Sequence, residues 1–303
     1  MPRPSETLKL GLVTDLGRID DGTFNQYAYD GLVQAASEHG LEYEVIETES
    51  RNDYERNLQS LIERGCTLIV TIGSTLGPAA ERLATRYTSV HFVIVDYEPL
   101  PDSRNVTGLV FAEDEAGFLA GALAGLMTDE DVVGFVGGMD IPPVLRFQKG
   151  FENGVAHTNK RAKALSIYTD SFTDTAAGEE AARELIGQGA DVIFAAAGAS
   201  GSAAIRAAAQ AGAWVIGVDQ DEWVTTFQNG AVPGAERLIT SAVKRVDHAV
   251  YTAIDQAVHG HLRAGVQRFD LSNDGVGLAP YHAADAAVPS EVKGKILEVR
   301  DGL

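Results

Sequence analysis

At 303 residues with 45% hydrophobic and 22% charged content, the chain has the composition of an ordinary globular protein and the length for one large core or two medium ones. Its 24 Lys+Arg against 43 Asp+Glu leave a net charge of −19, which repels phosphate backbones and anionic lipid and argues against nucleic-acid or membrane-surface binding. Cys66, in the apolar run RGCTLIV, is the only cysteine, so no intrachain disulfide or cysteine metal cluster forms, and no run of about 18 apolar residues is present to span a bilayer.

The opening MPRPSETLKL lacks the apolar stretch and small-residue cleavage site of an export signal, so as written the chain is not expected to be secreted. Its short Pro/Ser-containing lead also fits a mature domain restarted with Met after an export signal was removed. Strands are predicted at Leu8–Thr14, Tyr43–Glu47, Leu68–Ile72 and His91–Val95, with helices over Phe24–His39, Asp53–Arg64 and Pro78–Arg86 between them. Between Val110 and Val132 lies the helix EDEAGFLAGALAGLM, whose small residues suit close packing against another helix. A second series places strands near Val132–Val136, Leu165–Tyr168, Val192–Ala196 and Trp214–Val218, and helices at Pro143–Thr158, Thr175–Gln188 and Gly201–Gln210. Leu238–His259 reads as one long helix, with Val243, Val246, Val250 and Ile254 at roughly helical spacing, and Val266–Leu271 reads as a strand. Such alternation is the signature of βαβ units and parallel sheets.

The two series align at a nearly constant offset of about 123 residues. Gly11-Leu12-Val13 falls on Gly134-Phe135-Val136, Phe24 on Phe147, Leu61–Gly65 on Leu185–Gly189, and Val93–Asp96 on Ile216–Asp219. A duplicated plan predicts two similar α/β lobes with a ligand cleft between their strand ends.

The strongest local feature is Leu10–Gln26, LGLVTDLGRIDDGTFNQ, where an apolar strand runs into a loop bearing Asp15, Asp20, Asp21, Phe24 and Asn25. Carboxylates, an amide and an aromatic ring at a strand end suit a flat, polar small molecule. A solvated loop with Phe24 as the first core residue of the next helix is the other reading, and these residues alone leave both open. No G-x-G-x-x-G follows any strand; Val136-Gly137-Gly138-Met139 and Ala197–Gly201 come nearest, and the second is either a tight βα turn or a set of backbone N–H groups aimed at a ligand. Neither a P-loop lysine motif nor a G-x-S-x-G elbow is present. His259-Gly260-His261 reads as a helix C-terminal cap rather than a metal pair, and Asp20-Asp21 as a loop anchor rather than a cation site, so no metal is expected. What remains is a set at βα loops, Asp15, Phe24, Asn25, Asp96, Phe172, Gly198 and Asp219, with Lys244 on the late helix. Aromatic faces sandwich a planar heterocycle, and buried carboxylates accept from ring N–H groups and sugar hydroxyls. The set holds no nucleophile with its base, which favours binding over catalysis.

The runs TDLGRIDDGTFNQYAYDGL, FVIVD at 92–96, NVTGLVFAEDEAGFLAGALAG at 105–125, GADVIFAAAG at 189–198, WVIGVDQD at 214–221 and SAVKRVDHAVY at 241–251 resemble the basic membrane protein family. That family includes the purine nucleoside receptor lipoproteins, which are substrate-binding proteins of ABC transporters. The resemblance implies a type I periplasmic-binding-protein fold, two doubly wound parallel-sheet lobes with three hinge crossings and closure on the ligand. The lobes would be residues 1–111 with 240–271, and 112–239 with 272–303. It further implies that Phe24 and Phe172 stack on the two faces of a purine. Asp15, Asn25 and Asp96 would meet the base or the near edge of the sugar, and Gly198, Asp219 and Lys244 the ribose. Tyr168 is a substitute for Phe172, and Trp223 either reaches the cleft or covers the hinge. The implied partners are a purine nucleoside and a transporter permease, for a monomer with no cofactor and no enzymatic role. The family's place is extracytoplasmic, as a lipoprotein or in the periplasm; this chain shows neither signal peptide nor lipobox cysteine, which leaves a cytoplasmic member as the other reading. The alternatives are a ligand-sensing domain for a regulatory partner, and an enzyme acting on a nucleoside or small sugar with Asp15 or Asp96 as general base. Adenosine, guanosine and inosine are not distinguished.

Overall fold

A computed structural model describes residues 8–303. The chain begins with β1 (Leu10–Leu16), α1 (Phe24–His39), β2 (Tyr43–Thr48), α2 (Tyr54–Glu63), β3 (Leu68–Thr71), α3 (Gly77–Arg86), β4 (His91–Val95) and β5 (Val106–Phe111). It continues through α4 (Glu113–Met127), β6 (Val132–Gly137), α5 (Pro142–Thr158), β7 (Lys163–Tyr168), α6 (Thr175–Gly187), β8 (Val192–Ala196), α7 (Gly198–Gln210), β9 (Trp214–Asp219) and β10 (Leu238–Lys244). Last come α8 (Val246–Val258), β11 (Gly265–Phe269), β12 (Val276–Leu278) and α9 (Ser290–Asp301). Two compact units result. One holds the residues up to Asp21, Asn25–Val110 and Val246–Phe269; the other holds Gly22–Phe24, Phe111–Arg245 and Asp270–Leu303.

Each unit has a six-stranded sheet, and the two strand orders correspond one for one: β11-β5-β4-β3-β1-β2 in the first and β12-β10-β9-β8-β6-β7 in the second. The pairs among β1–β5 and among β6–β10 are parallel, while β12 joins β10 antiparallel. Central strands such as β3 and β8 are buried along their whole length and read as continuous apolar runs. The helices cover their sheets with one apolar face, as α2 does with buried Tyr54, Leu58 and Leu61 one turn apart. The duplication extends to packing details. A Cβ at Gly11 would sit 2.8 Å from Leu61, and one at Gly134 would sit 2.9 Å from Leu185, the matching leucine of the second series. Asp96 and Asp219, paired by the same offset, both have left-handed backbones with φ of 64° and 62°.

The strands and helices of the two series fall within a few residues of their expected positions. The exception is Leu238–His259, which is not one helix: Leu238–Lys244 is a strand in register with β9, from Leu238 opposite Val215 to Val243 opposite Asp219, and α8 starts only at Val246. The run LITSAVK is rich in β-branched residues and fits a buried strand. Lys244 therefore ends a strand and is not on a helix. The expected break before residue 240 would divide β10, whose pairing keeps it in the second sheet up to Arg245.

α4 and α5 meet backbone to backbone. A Cβ at Gly121 would lie 2.0 Å from the Phe151 carbonyl oxygen, and one at Gly154 would lie 2.0 Å from that of Phe118, so the expected close packing of the small-residue helix is present. Behind them Phe135, Phe147, Phe151 and Phe194 interlock with ring centroids 5.4–6.2 Å apart. Among the described residues no helix is long and apolar enough to cross a membrane.

Candidate functional site

The candidate residues occupy the carboxyl edges of the two sheets, where open α/β sheets take ligands. In the first unit Asp15 is the penultimate residue of β1 and Asp96 follows β4, with β3 between these strands. Both oxygens of Asp15 already accept a hydrogen bond: the Tyr54 hydroxyl donates to Oδ1, and Thr75 Oγ1 donates to Oδ2 at 2.6 Å. Burial, reinforced by the hydrogen bond to Asp15, pushes the Tyr54 phenol up to about 12, so it serves as a donor at neutral pH. Asp15 is thus a preoriented acceptor. Asp96 donates its backbone N–H to the Leu109 carbonyl at 2.8 Å, which anchors its left-handed turn to β5.

Asn25 is the second residue of α1. The Asp21 carboxylate accepts from Asn25 Nδ2 at 2.8 Å and from the backbone N–H groups of Asn25 and Gln26 at 3.3 and 3.2 Å. Asp21 is therefore the anchor of the loop and caps the first turn of the helix. Its neighbour Asp20 instead pairs with Arg18 at the surface.

In the second unit a buried ion pair lies at the end of β10. Lys244 Nζ is 2.9 Å from Glu113 Oε1, both side chains are 2% exposed or less, and Glu113 Oε2 accepts from Arg146 Nε at 2.6 Å. Glu113 opens α4, where the helix dipole favours a carboxylate. The ammonium also lies 5.2 Å from the Phe24 ring centroid and 4.9 Å from that of Phe111. Asp219 ends the neighbouring strand β9, where the register sets it opposite Val243, the residue before Lys244.

Phe172 lies in the loop after β7 and is seated by two glycines. A Cβ at Gly138 would come within 2.3 Å of the Phe172 ring, and one at Gly198 would come 3.0 Å from its carbonyl oxygen, which accepts from the Ser200 N–H at 3.2 Å. Gly198, with φ of 56°, opens α7 three residues before the expected start. Tyr168, the suggested substitute for Phe172, donates its hydroxyl to Gln148 Oε1 at 2.6 Å and rests its ring near Phe135. Trp223 stacks on His282 at 5.0 Å, and His282 Nε2 is 2.6 Å from Asp221 Oδ2.

The turn after Asp219 is clamped by Glu222. This fully buried carboxyl accepts from the Val218 N–H at 3.1 Å, from Ser202 Oγ at 2.8 Å and from Thr226 Oγ1, and burial drives it toward the protonated form. Two residues back, Gln220 Nε2 donates to the Thr23 carbonyl at 2.8 Å, beside Phe24.

Tyr54, Thr75, Glu113, Arg146 and Glu222 escaped the sequence reading. Their partners stand mostly tens of residues away, and the acidic start of EDEAGF resembles any helix N-terminus. A groove of about 670 Å³ along β2 and α2 includes Arg18, Glu47, Arg56 and Arg64 in its lining and none of the candidate residues. Its arginines pair with Asp20, Asp53 and Glu44, as on a solvated charged face. His259 hydrogen-bonds the Asp255 carbonyl at 2.8 Å, at the end of α8.

Among relatives, the chain is 31% identical over 309 residues to the ABC transporter nucleoside-binding protein BmpA of Lactococcus lactis subsp. cremoris, covering 97% of this chain and 88% of that one. It is 33% identical over 287 residues to an uncharacterized lipoprotein of Pyrococcus furiosus, covering 90% and 70%. An ABC transporter solute-binding protein of Aeropyrum pernix K1 has a matching fold, with a TM-score of 0.82 and 29% identity over 97% of this chain and 85% of that one. Residues 8–299 match the family described as ABC transporter substrate-binding protein PnrA-like (Bmp), and the chain belongs to that family.

Proposed function

We propose that this protein binds a purine nucleoside and delivers it to a transporter permease, without catalysis. The observation that carries the reading is the Phe24 ring held 5.2 Å from the buried Lys244 ammonium at the end of β10, with Asp219 ending the neighbouring strand β9. A stacking face beside a fixed cation and a fixed acceptor suits a base linked to a sugar. In this reading Phe24 and Phe172 stack on the purine. Asp15, Asn25 and Asp96 take N–H groups of the base or the near edge of the sugar, while Gly198, Asp219 and Lys244 serve the ribose. Glu113 holds Lys244 in place by a buried ion pair, and a buried ammonium without such a partner would be strongly disfavoured. The candidate set has no nucleophile with an adjacent base, which supports binding rather than turnover. The relatives named as a nucleoside-binding protein and as a lipoprotein support nucleoside as ligand and an extracytoplasmic, lipid-anchored place for a chain that works as a monomer in this reading.

The test is isothermal titration calorimetry of protein refolded free of carried-over ligand, against adenosine, guanosine, inosine, cytidine, uridine and ribose. One-to-one binding of purine nucleosides with little response to ribose is expected. Silence toward every nucleoside would overturn the reading, and release of free base would point to an enzyme.

A further inference from the structure

We infer that Asn25 sets a hydrogen-bond requirement on the ligand: its side-chain oxygen accepts from a donor on the bound molecule, and Asp21 locks it in that sense. The inference rests on the nucleoside reading above and adds to it the polarity of one contact. The oxygen and nitrogen of an asparagine amide are alike in shape, so their assignment follows from their partners. Here the partner is decisive. Asp21 already accepts from the backbone N–H groups of Asn25 and Gln26, and an ionised carboxylate only accepts, so the amide must turn its NH2 toward it. Nδ2 stands 2.8 Å from Asp21 Oδ2. The loop is shaped around this arrangement, because a Cβ at Gly17 would lie 2.5 Å from Nδ2. Thr14 Oγ1 in turn donates to the Gly17 carbonyl at 3.0 Å.

The amide oxygen is left pointing away from Asp21. Asn25 is only 7% exposed, and its Oδ1 has no hydrogen-bond partner among the described residues. Buried polar atoms are nearly always paired, so an unpaired acceptor beside a candidate stacking ring is completed by a ligand donor. A nucleoside offers such donors as an N–H of its base or an O–H of its sugar. A ligand presenting an acceptor at that point would meet oxygen with oxygen and be rejected.

The experiment measures affinities of wild type, Asn25→Leu and Asp21→Asn for adenosine and inosine as parents. The analogues are purine riboside, which has no base N–H, and 2′-, 3′- and 5′-deoxyadenosine, each missing one hydroxyl. For wild type, one analogue should bind at least about tenfold more weakly than its parent, as for a lost hydrogen bond. In Asn25→Leu that one penalty should fall below about threefold while the other penalties persist, and the analogue concerned identifies the donor. In Asp21→Asn the same penalty should shrink, because an amide at 21 no longer dictates the orientation of Asn25. Asn25→Ala replaces Asn25→Leu if the latter fails to show a cooperative thermal transition. Binding of a parent with penalties that do not depend on Asn25 overturns this inference and leaves the nucleoside reading intact. Failure of wild type to bind either parent overturns both.

Discussion

Asp219 combines two roles that substitution can separate. Its backbone is left-handed, a conformation that Asn shares readily and Ala does not, and its carboxylate is a candidate ribose acceptor. Asp219→Asn is expected to leave stability nearly unchanged while weakening nucleoside binding by about 1–3 kcal/mol. Asp219→Ala should show the same binding loss together with about 1 kcal/mol of lost stability from the strained turn. Calorimetric titration beside chemical denaturation tests this, and unchanged affinity in both variants would remove Asp219 from the site. His91 makes a second case at this scale. Its imidazole, half-buried at the start of β4 and hydrogen-bonded to Thr107 at 2.8 Å, has its pKa lowered by desolvation to about 4. The unfolded chain, titrating near the ordinary value of 6.5, binds this proton more readily. The resulting stability is present above 6.5 and is lost as pH falls from there toward 4. His91→Gln keeps a hydrogen-bonding group without the titration and should lose about 2 kcal/mol less than wild type between about pH 7 and pH 5. Equal losses in urea titrations at the two pH values would contradict this account.

Helices α4 and α5 carry the next prediction. Helix propensity alone says that Gly121→Ala should stabilise α4 by about 1 kcal/mol. The added methyl, however, would meet the Phe151 carbonyl oxygen at 2.0 Å, so the helices must part. A net loss of about 2 kcal/mol or more is expected from such overpacking. Gly294→Ala in α9, where nothing lies within 4 Å of the new methyl, should instead gain about 0.5–1 kcal/mol. A gain from both substitutions in denaturant midpoints would show that α4 and α5 do not touch as described. Elements were legible wherever apolar periodicity was unbroken: Phe24–His39, His91–Val95, Val192–Ala196 and Glu113–Met127 fall where the sequence places them. Reading failed where two periods met. Val243 belongs to a strand and Val246 and Val250 to a helix, yet their spacing fits a single helix. Short β12, with three residues, offers no period to detect. The candidate residues next to glycines or motif ends could be named from the chain. The Tyr54 and Thr75 clasp on Asp15 could not, because it joins residues 39 and 60 positions apart.

Over the whole molecule, charge and chain path have consequences of their own. With a net charge of −19 overall, three candidate carboxylates, and a Lys244 already matched by Glu113, little positive potential remains for a phosphate. Adenosine 5′-monophosphate is therefore expected to bind at least about tenfold more weakly than adenosine, with the gap narrowing as salt is raised from about 0.02 M to about 0.3 M. Equal affinities at low salt would mean that a cationic subsite has been overlooked. The chain path bears on how the molecule is made. The first sheet takes its outermost strand, β11, from Gly265–Phe269, and α8 comes just before it, whereas the whole run from Phe111 to Arg245 builds the second unit. During synthesis the ribosome must deliver the run Phe111–Arg245 of the second unit before the first can be completed. Until then β5 presents an open, mostly apolar edge, the kind of surface on which nascent chains aggregate. Truncation after Val110 or after Arg245 would leave that edge permanently bare, so the first unit cannot be obtained by stopping the gene at either point.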